Sequence, residues 1–337
     1  MLRYSLIILV FLITGLIITP LTTVASNEKQ LNIVVTFNYF KPDVEKLICS
    51  GKLYSLIPPG IDPHEYQLKP SDIELLKKSD LIISTGHTSF ELKIRDLVNN
   101  GEITAKLIDL TEIQGIKYLE NPVTGRLNYH MPINDPINYM VFITSLYKTL
   151  IEIDSANLKC YTERYLDIIN SVAINILQQR DTLTGKTIVD KPHAQYYAEW
   201  LGLHVLWIIK PEEEYQVTPG DIAKLRELTR YGDVKVVFVT RPGDSPESKL
   251  LLELANENSL PVIWVNNPSN ESGVYYSLLD LLNQVNKLLR NNTLTTSEFN
   301  LGTCGNNISS YIVYPLMIVS FILGVLSCFI YRKYPRR

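Results

Sequence analysis

Residues 137–183 contain neither glycine nor proline, and on either side of them short β-branched runs alternate with helical patterns. That layout restricts the chain to two halves joined by helices. In the first half Asn32–Thr36, Leu53–Ile57, Asp80–Thr85 and Ala105–Ile108 read as strands; in the second, Thr187–Asp190, Val205–Ile209, Val234–Thr240 and Val262–Val265 do. Several are apolar almost without interruption, as strands covered on both faces are. Strand–helix alternation implies mainly parallel α/β sheets, so the expected fold is two small βα lobes.

Punctuation supports the helices. Thr218-Pro219 and Ser245-Pro246 each place a capping hydroxyl before a proline at the first helical position. Ser71 can cap a helix opened by Pro70, with Glu74 returning the hydrogen bond. Between the halves, apolar residues keep a helical period from Ile137 through Leu177, with a break near Asp154-Ser155. Ser155 is a natural cap for a long second helix, a strut of about 28 residues and about 42 Å.

The termini carry targeting signals. Arg3 precedes an uncharged apolar run and the small-residue stretch Thr22–Ser26, the layout of a secretory signal peptide, residues 1–26. A second uncharged stretch, 310–331, is long enough to cross a bilayer, and the basic tail 332–337 that follows sets the C-terminus inside. The expected order is signal peptide 1–26, N-terminal lobe 27–136, connecting helices 137–183 and C-terminal lobe 184–290. A stalk 291–309, a transmembrane helix 310–331 and a cytoplasmic tail complete it. The body is expected at the cell surface, outside the membrane, anchored by the C-terminal helix.

Of the 32 basic residues, one precedes residue 27 and four follow residue 308, whereas all 35 acidic residues lie between, so the exported body carries a net charge of −8. That argues against nucleic acid as a partner. His-Glu-x-x-His and Gly-x-Ser-x-Gly are both absent, which argues against a zinc hydrolase or a serine esterase. Cys49 and Cys160 can pair only if the fold brings them together.

Metal-ligand chemistry points to the histidines. His64 lies in Pro58-Pro59-Gly60-Ile61-Asp62-Pro63-His64-Glu65-Tyr66, a rigid loop at the carboxyl end of a predicted strand, where open parallel sheets expose ligand sites. His130, in Asn128-Tyr129-His130-Met131-Pro132, stands just before the connecting helices. His87, in Gly86-His87-Thr88-Ser89, also follows a strand and reads more readily as a solvated loop residue; His204 reads as a strand-surface residue.

The Gly-x-x-Pro-His loop ending at His64, the helix start Pro70-Ser71-Asp72-Ile73 and the strand entry Lys78-Ser79-Asp80-Leu81-Ile82 resemble the zinc/manganese-binding receptors of ABC importers. His130-Met131-Pro132-Ile133-Asn134-Asp135-Pro136 looks like that family's His-x-Trp-x-Asp-Pro segment, one residue longer and without the Trp, and the resemblance runs through Tyr197–Leu203 to the last strand. It implies two lobes joined by one long rigid helix, with a metal at the lobe interface and an importer permease as partner. It also places His64 and His130 on the first two ligand positions. Gap-free spacing puts Lys191 on the third, with His193 two residues later as the alternative, and Asn267 before Pro268 on the fourth.

This chain departs from the family's pattern at Thr240-Arg241, where relatives often carry Glu, and lacks a His-rich acidic loop between Thr111 and Tyr129. Three imidazoles and an amide carry no charge, which favours Zn2+ over the harder Mn2+. The expected function is therefore a membrane-anchored receptor, not an enzyme, that captures a divalent transition metal at His64, His130, His193 and Asn267 for an ABC importer. The alternative is a receptor-fold surface protein with an altered ligand or an adhesive role.

Overall fold

Eight short runs of mostly β-branched and aliphatic residues form two four-stranded parallel sheets in the computed structural model, which describes residues 30–290 apart from 59, 62 and 270. The first sheet contains β1 (Leu31–Val35), β2 (Gly51–Ser55), β3 (Leu81–Ser84) and β4 (Lys106–Asp109), in the order β2-β1-β3-β4. Its helices are α1 (Lys41–Leu47), α2 (Pro70–Lys77) and α3 (Ser89–Asn99). The second sheet contains β5 (Gly185–Val189), β6 (Leu203–Ile208), β7 (Val234–Thr240) and β8 (Val262–Val265), in the matching order β6-β5-β7-β8. Its helices are α6 (Ala194–Trp200), α7 (Pro219–Tyr231) and α8 (Pro246–Glu257), numbered after the two connecting helices below.

All eight predicted strands are present, with ends displaced by a few residues at most. Thr218 and Ser245 cap α7 and α8, accepting from the amides of Asp221 and Ser248. The start of α2 differs from expectation. Lys69 is its N-cap, and Asp72 rather than Glu74 returns the bond, its carboxylate accepting from the Lys69 amide at 2.8 Å. The segment opens two residues earlier than a Ser71 cap implies, because Pro70 already occupies the first helical position.

The connecting region is a pair of equal helices, α4 (Pro136–Ile153) and α5 (Leu158–Asn175), each of 18 residues. The strut α5 is therefore about 27 Å long, not the 42 Å expected. Ser155 does not cap it but begins a short 3-10 turn. Asp154 makes the break: its carboxylate accepts from the Tyr161 hydroxyl at 2.7 Å and from the Asn157 side-chain amide at 2.9 Å. Cys49 and Cys160 form a disulfide that fastens the segment between α1 and β2 to α5.

The lobes share one core. A continuous apolar cluster runs from Ile33, Val35 and Ile83 of the first sheet through Tyr139, Phe142 and Tyr197 to Val189, Phe238 and Ile263 of the second. Alternation along β7 explains how: Val236 and Phe238 face this shared core, whereas Val237 and Val239 face a smaller cluster beneath α7 and α8.

The final helix, α9 (Val274–Arg290), crosses back to the first lobe. Asp43 of α1, 1% exposed, receives the amides of Val274 at 2.6 Å and Tyr275 at 3.1 Å, together with the Tyr139 hydroxyl at 2.7 Å. Burial pushes its carboxyl up from the usual range, and these donors oppose that shift. The approach requires Gly273, which has φ +73° and where a Cβ would lie 2.9 Å from the Asp43 carboxylate. On the same side Lys46 Nζ lies 4.0 Å from the centres of the Tyr275 and Tyr276 rings.

The signal segment 1–26, the stalk, the transmembrane helix 310–331 and the basic tail fall outside the described residues. Among the described residues no helix is long and apolar enough to cross a membrane.

Replacing Asp43 by Ala strands two helix-terminal amides and a buried hydroxyl, and is expected to lower the unfolding free energy by about 3 kcal/mol. A urea titration that finds no change in midpoint would remove this carboxylate from the account of how the lobes are held.

Candidate metal centre

Parallel strands of one sheet end on the same side, so loops that leave adjacent carboxyl ends share a small volume. In the order β2-β1-β3-β4 the chain reverses direction beside β1, and the crevice outside such a reversal is where open α/β sheets bind ligands. The loop after β2 carries His64, the loop after β3 carries His87, and the segment before α4 brings His130 over the same edge. A ligand nitrogen from each of the three lies within 4.8 Å of the others. The ring centres are 5.6 Å apart for His64–His87 and His64–His130, and 4.9 Å for His87–His130.

Each loop is fixed locally. In the first, the Tyr66 amide closes a turn onto the Pro63 carbonyl at 3.4 Å, and the Tyr66 hydroxyl donates to Asp72 at 2.7 Å. The Tyr66 ring packs edge-on against Phe90. The second loop is built on Glu91, a fully buried carboxylate on the first turn of α3. Glu91 accepts from the hydroxyls of Thr36 at 2.7 Å and Thr88 at 2.9 Å, from the amide of Thr85 at 2.8 Å and from the Thr85 hydroxyl. Gly86 has φ +77°, and a Cβ there would sit 1.7 Å from an Asp109 oxygen. Arg95 completes the brace, donating to the Gly86 carbonyl at 2.9 Å and to Asp109 at 2.8 Å.

These contacts also set which ring nitrogens face inward. The Thr85 hydroxyl gives its proton to Glu91, so its oxygen accepts from His87 Nδ1 at 2.8 Å. Asn128 donates to the Pro192 carbonyl and the Gln195 side chain, both at 2.8 Å, which turns its amide oxygen toward His130 Nδ1 at 3.1 Å. Both histidines thus engage Nδ1 and leave Nε2 with its lone pair, the arrangement that orients metal-binding imidazoles. Burial, and next His64, holds His87 down at about 3; burial, and next His87 and His64, holds His130 well below its ordinary value. Both rings are neutral donors at physiological pH. Met131, beside His130, has φ +50°, a conformation uncommon for a side chain of its size and one that marks the tightness of this turn.

The second lobe meets this group without placing the expected residues in it. His193 is 5% exposed, its Nε2 lies 3.4 Å from the Thr240 hydroxyl, and burial, with Lys191 the next cause, holds it down at about 3. Its ring is outside the three-imidazole group, as a buried side chain over the network in which Asp190 accepts from Thr240 and Ser248. Lys191 pairs with Glu247 at 3.3 Å. Asn267 uses its amide oxygen to accept from the Ser269 amide at 3.0 Å, stabilising the turn after β8. The three-imidazole group thus forms without His193, Asn267 is engaged in its own turn, and His87, read from sequence as a solvated loop residue, belongs to the cluster. The signal for it was available: it follows a strand next but one to the strand that presents His64.

The family model described as ZnuA, zinc-uptake complex component A, periplasmic, matches residues 33–288. The manganese ABC transporter substrate-binding lipoprotein PsaA of Streptococcus anginosus is 26% identical over 273 residues, 76% of this chain and 87% of its own length. The iron-binding protein YfeA of Yersinia pestis is 23% identical over 274 residues, 77% of this chain and 85% of its own. Among solved structures, the periplasmic zinc-binding protein TroA of Treponema pallidum shares the fold, with a TM-score of 0.60 at 15% identity, covering 76% of this chain and 98% of that one. Three imidazoles gathered between two doubly wound lobes, and a family match that spans nearly all the described residues, give one conclusion: the chain belongs to the ZnuA family, periplasmic or extracellular metal-binding receptors of ABC importers rather than enzymes.

Proposed function

We propose that this receptor captures its ion at His64, His87 and His130, with zinc as the favoured cargo, and passes it to an importer permease. The carrying observation is the convergence of three imidazoles, two of them held neutral with Nδ1 engaged. A neutral imidazole suits zinc and its transition-metal neighbours, and zinc takes four ligands at about 2.0–2.1 Å from nitrogen. Relatives named for manganese, iron and zinc make the metal a matter for measurement. The segment 310–331 would tether the body to the membrane, and the domain order expected from sequence is carried forward with it.

Zinc titration of the metal-free protein tests the site. His64→Ala, His87→Ala and His130→Ala are each expected to weaken binding by at least about 100-fold, more than outer-shell changes usually do. His193→Ala and Asn267→Ala should stay within about threefold of wild type if the protein folds. Wild-type zinc affinity in all three of the first variants would refute the assignment.

Acid stability of the metal-free protein is a second test. The folded state holds His87 and His193 at about 3, whereas an unfolded histidine titrates at about 6.5. Below 6.5 the unfolded chain takes up protons that these rings refuse, so stability is expected to fall steadily as pH drops from 6.5 toward 3. His87→Gln should flatten that slope. Equal slopes for the variant and wild type in urea titrations at pH 6.5, 5.5 and 4.5 would contradict the neutral, desolvated imidazole.

A further inference from the structure

All three imidazoles belong to the first lobe, so the question is what the second lobe offers an ion held there. We propose that Glu212, on the loop that follows β6, is the carboxylate ligand that completes the site from across the cleft, so that binding an ion ties the second lobe to the first. This rests on the three-histidine reading above.

Geometry carries the assignment. Glu212 Oε2 lies 4.0 Å from His130 Nε2, the nitrogen left over once Nδ1 is engaged by Asn128. In a tetrahedral zinc site neighbouring donor atoms stand roughly 3.4 Å apart, as metal–ligand distances near 2.0–2.1 Å require. The separation from His130 is thus slightly longer than a ligand pair needs, whereas the carboxylate stands outside the group that His64 and His87 complete, so it closes on those two rings as the ion enters. The loop is poised on that side of the cleft: the Pro211 carbonyl accepts from the Asn121 side-chain amide of the first lobe at 3.3 Å, and the Tyr215 amide closes a turn onto the Glu212 carbonyl at 3.1 Å.

Of three consecutive glutamates only one has this aim. Glu213 is engaged by Lys210, and Glu214 lines an open cavity of about 460 Å³ together with Arg126, Leu127, Tyr129 and Glu212. Burial raises the Glu212 carboxyl above its usual range, with Glu214 the next cause, and Arg126 and then His64 oppose the shift. The other polar groups that the second lobe presents here, His193, Lys191 and Asn267, already serve Thr240, Glu247 and Ser269.

The chemistry follows from charge. Three neutral imidazoles leave a divalent ion with its full double charge, whereas one carboxylate halves it. Oxygen donors also widen the range of acceptable ions toward manganese and iron. Glu212 is thus proposed as the residue that sets both affinity and selectivity.

The experiment uses the full-length protein, zinc for affinity and cobalt(II) as a visible probe of coordination. Glu212→Gln is expected to weaken zinc by at least about tenfold and to alter the cobalt absorption spectrum. It should also abolish the zinc-dependent slowing of amide hydrogen exchange over residues 211–215. Glu214→Gln, on the same loop, should leave all three unchanged. If Glu212→Gln keeps wild-type zinc affinity and an unaltered cobalt spectrum while His87→Ala loses binding, the glutamate assignment falls and the three-histidine site stands. If His87→Ala and His130→Ala also bind as wild type does, the site itself falls.

Discussion

The Asp43 carboxylate joins the two ends of the described chain. It lies in the first lobe, yet it accepts the first free amides of the last helix, α9, and thereby sets where the second lobe's final element runs. A negative group at a helix N-terminus satisfies orphan donors and complements the helix dipole at once. Here it does so in a buried position, where an alternative partner in water is not at hand. The aromatic rings that follow, Tyr275 and Tyr276, then lie against Lys46 on the same face of α1. Together with a core that runs through both sheets, this makes the lobes one packed body with a crevice rather than two bodies on a flexible tether.

Within that body the crevice is built by topology and then trimmed by polar contacts. The strand order brings His64 and His87 to loops on either side of β1, and the entry to α4 brings His130 across them. Glu91 and Asp72 then hold their loops by accepting hydrogen bonds from Thr85 and Tyr66, each two residues from an imidazole, and Asn128 accepts from the amide of His130 itself. These supports cost little in sequence space, being single side chains on helix starts and turns, and those at His87 and His130 decide which ring nitrogen is left without a partner.

The fold was largely legible in the sequence because its signals are local. β-branched runs located all eight strands, and hydroxyl–proline pairs located α7 and α8. The strut was over-extended because helical periodicity carries on past Asn175, where the chain tightens into a 3-10 turn at Leu177–Gln179. The site was legible only in part. His64 and His130 stood in motif-bearing loops, whereas His87 is marked only by its place after a strand, and the Thr88-x-x-Glu91 box beside it reads as a helix cap rather than as the brace of a ligand loop. The family resemblance pointed to positions held here by Lys191 and Asn267. A lysine that finds Glu247 is an outcome of tertiary contact, invisible along the chain, whereas the Asn267 amide closes a turn of its own.

The Cys49–Cys160 bridge has a mechanical consequence. With Arg164 also donating to the Ile48 carbonyl, α5 is clamped along its first half to the first lobe. It therefore travels as part of that lobe, like a beam bolted at one end. The chain passes between the lobes twice, at residues 176–184 and again just before α9, whose Tyr275 hydroxyl donates to Ser171 of the same beam, so any rocking of the second sheet is shared between those two short runs of backbone.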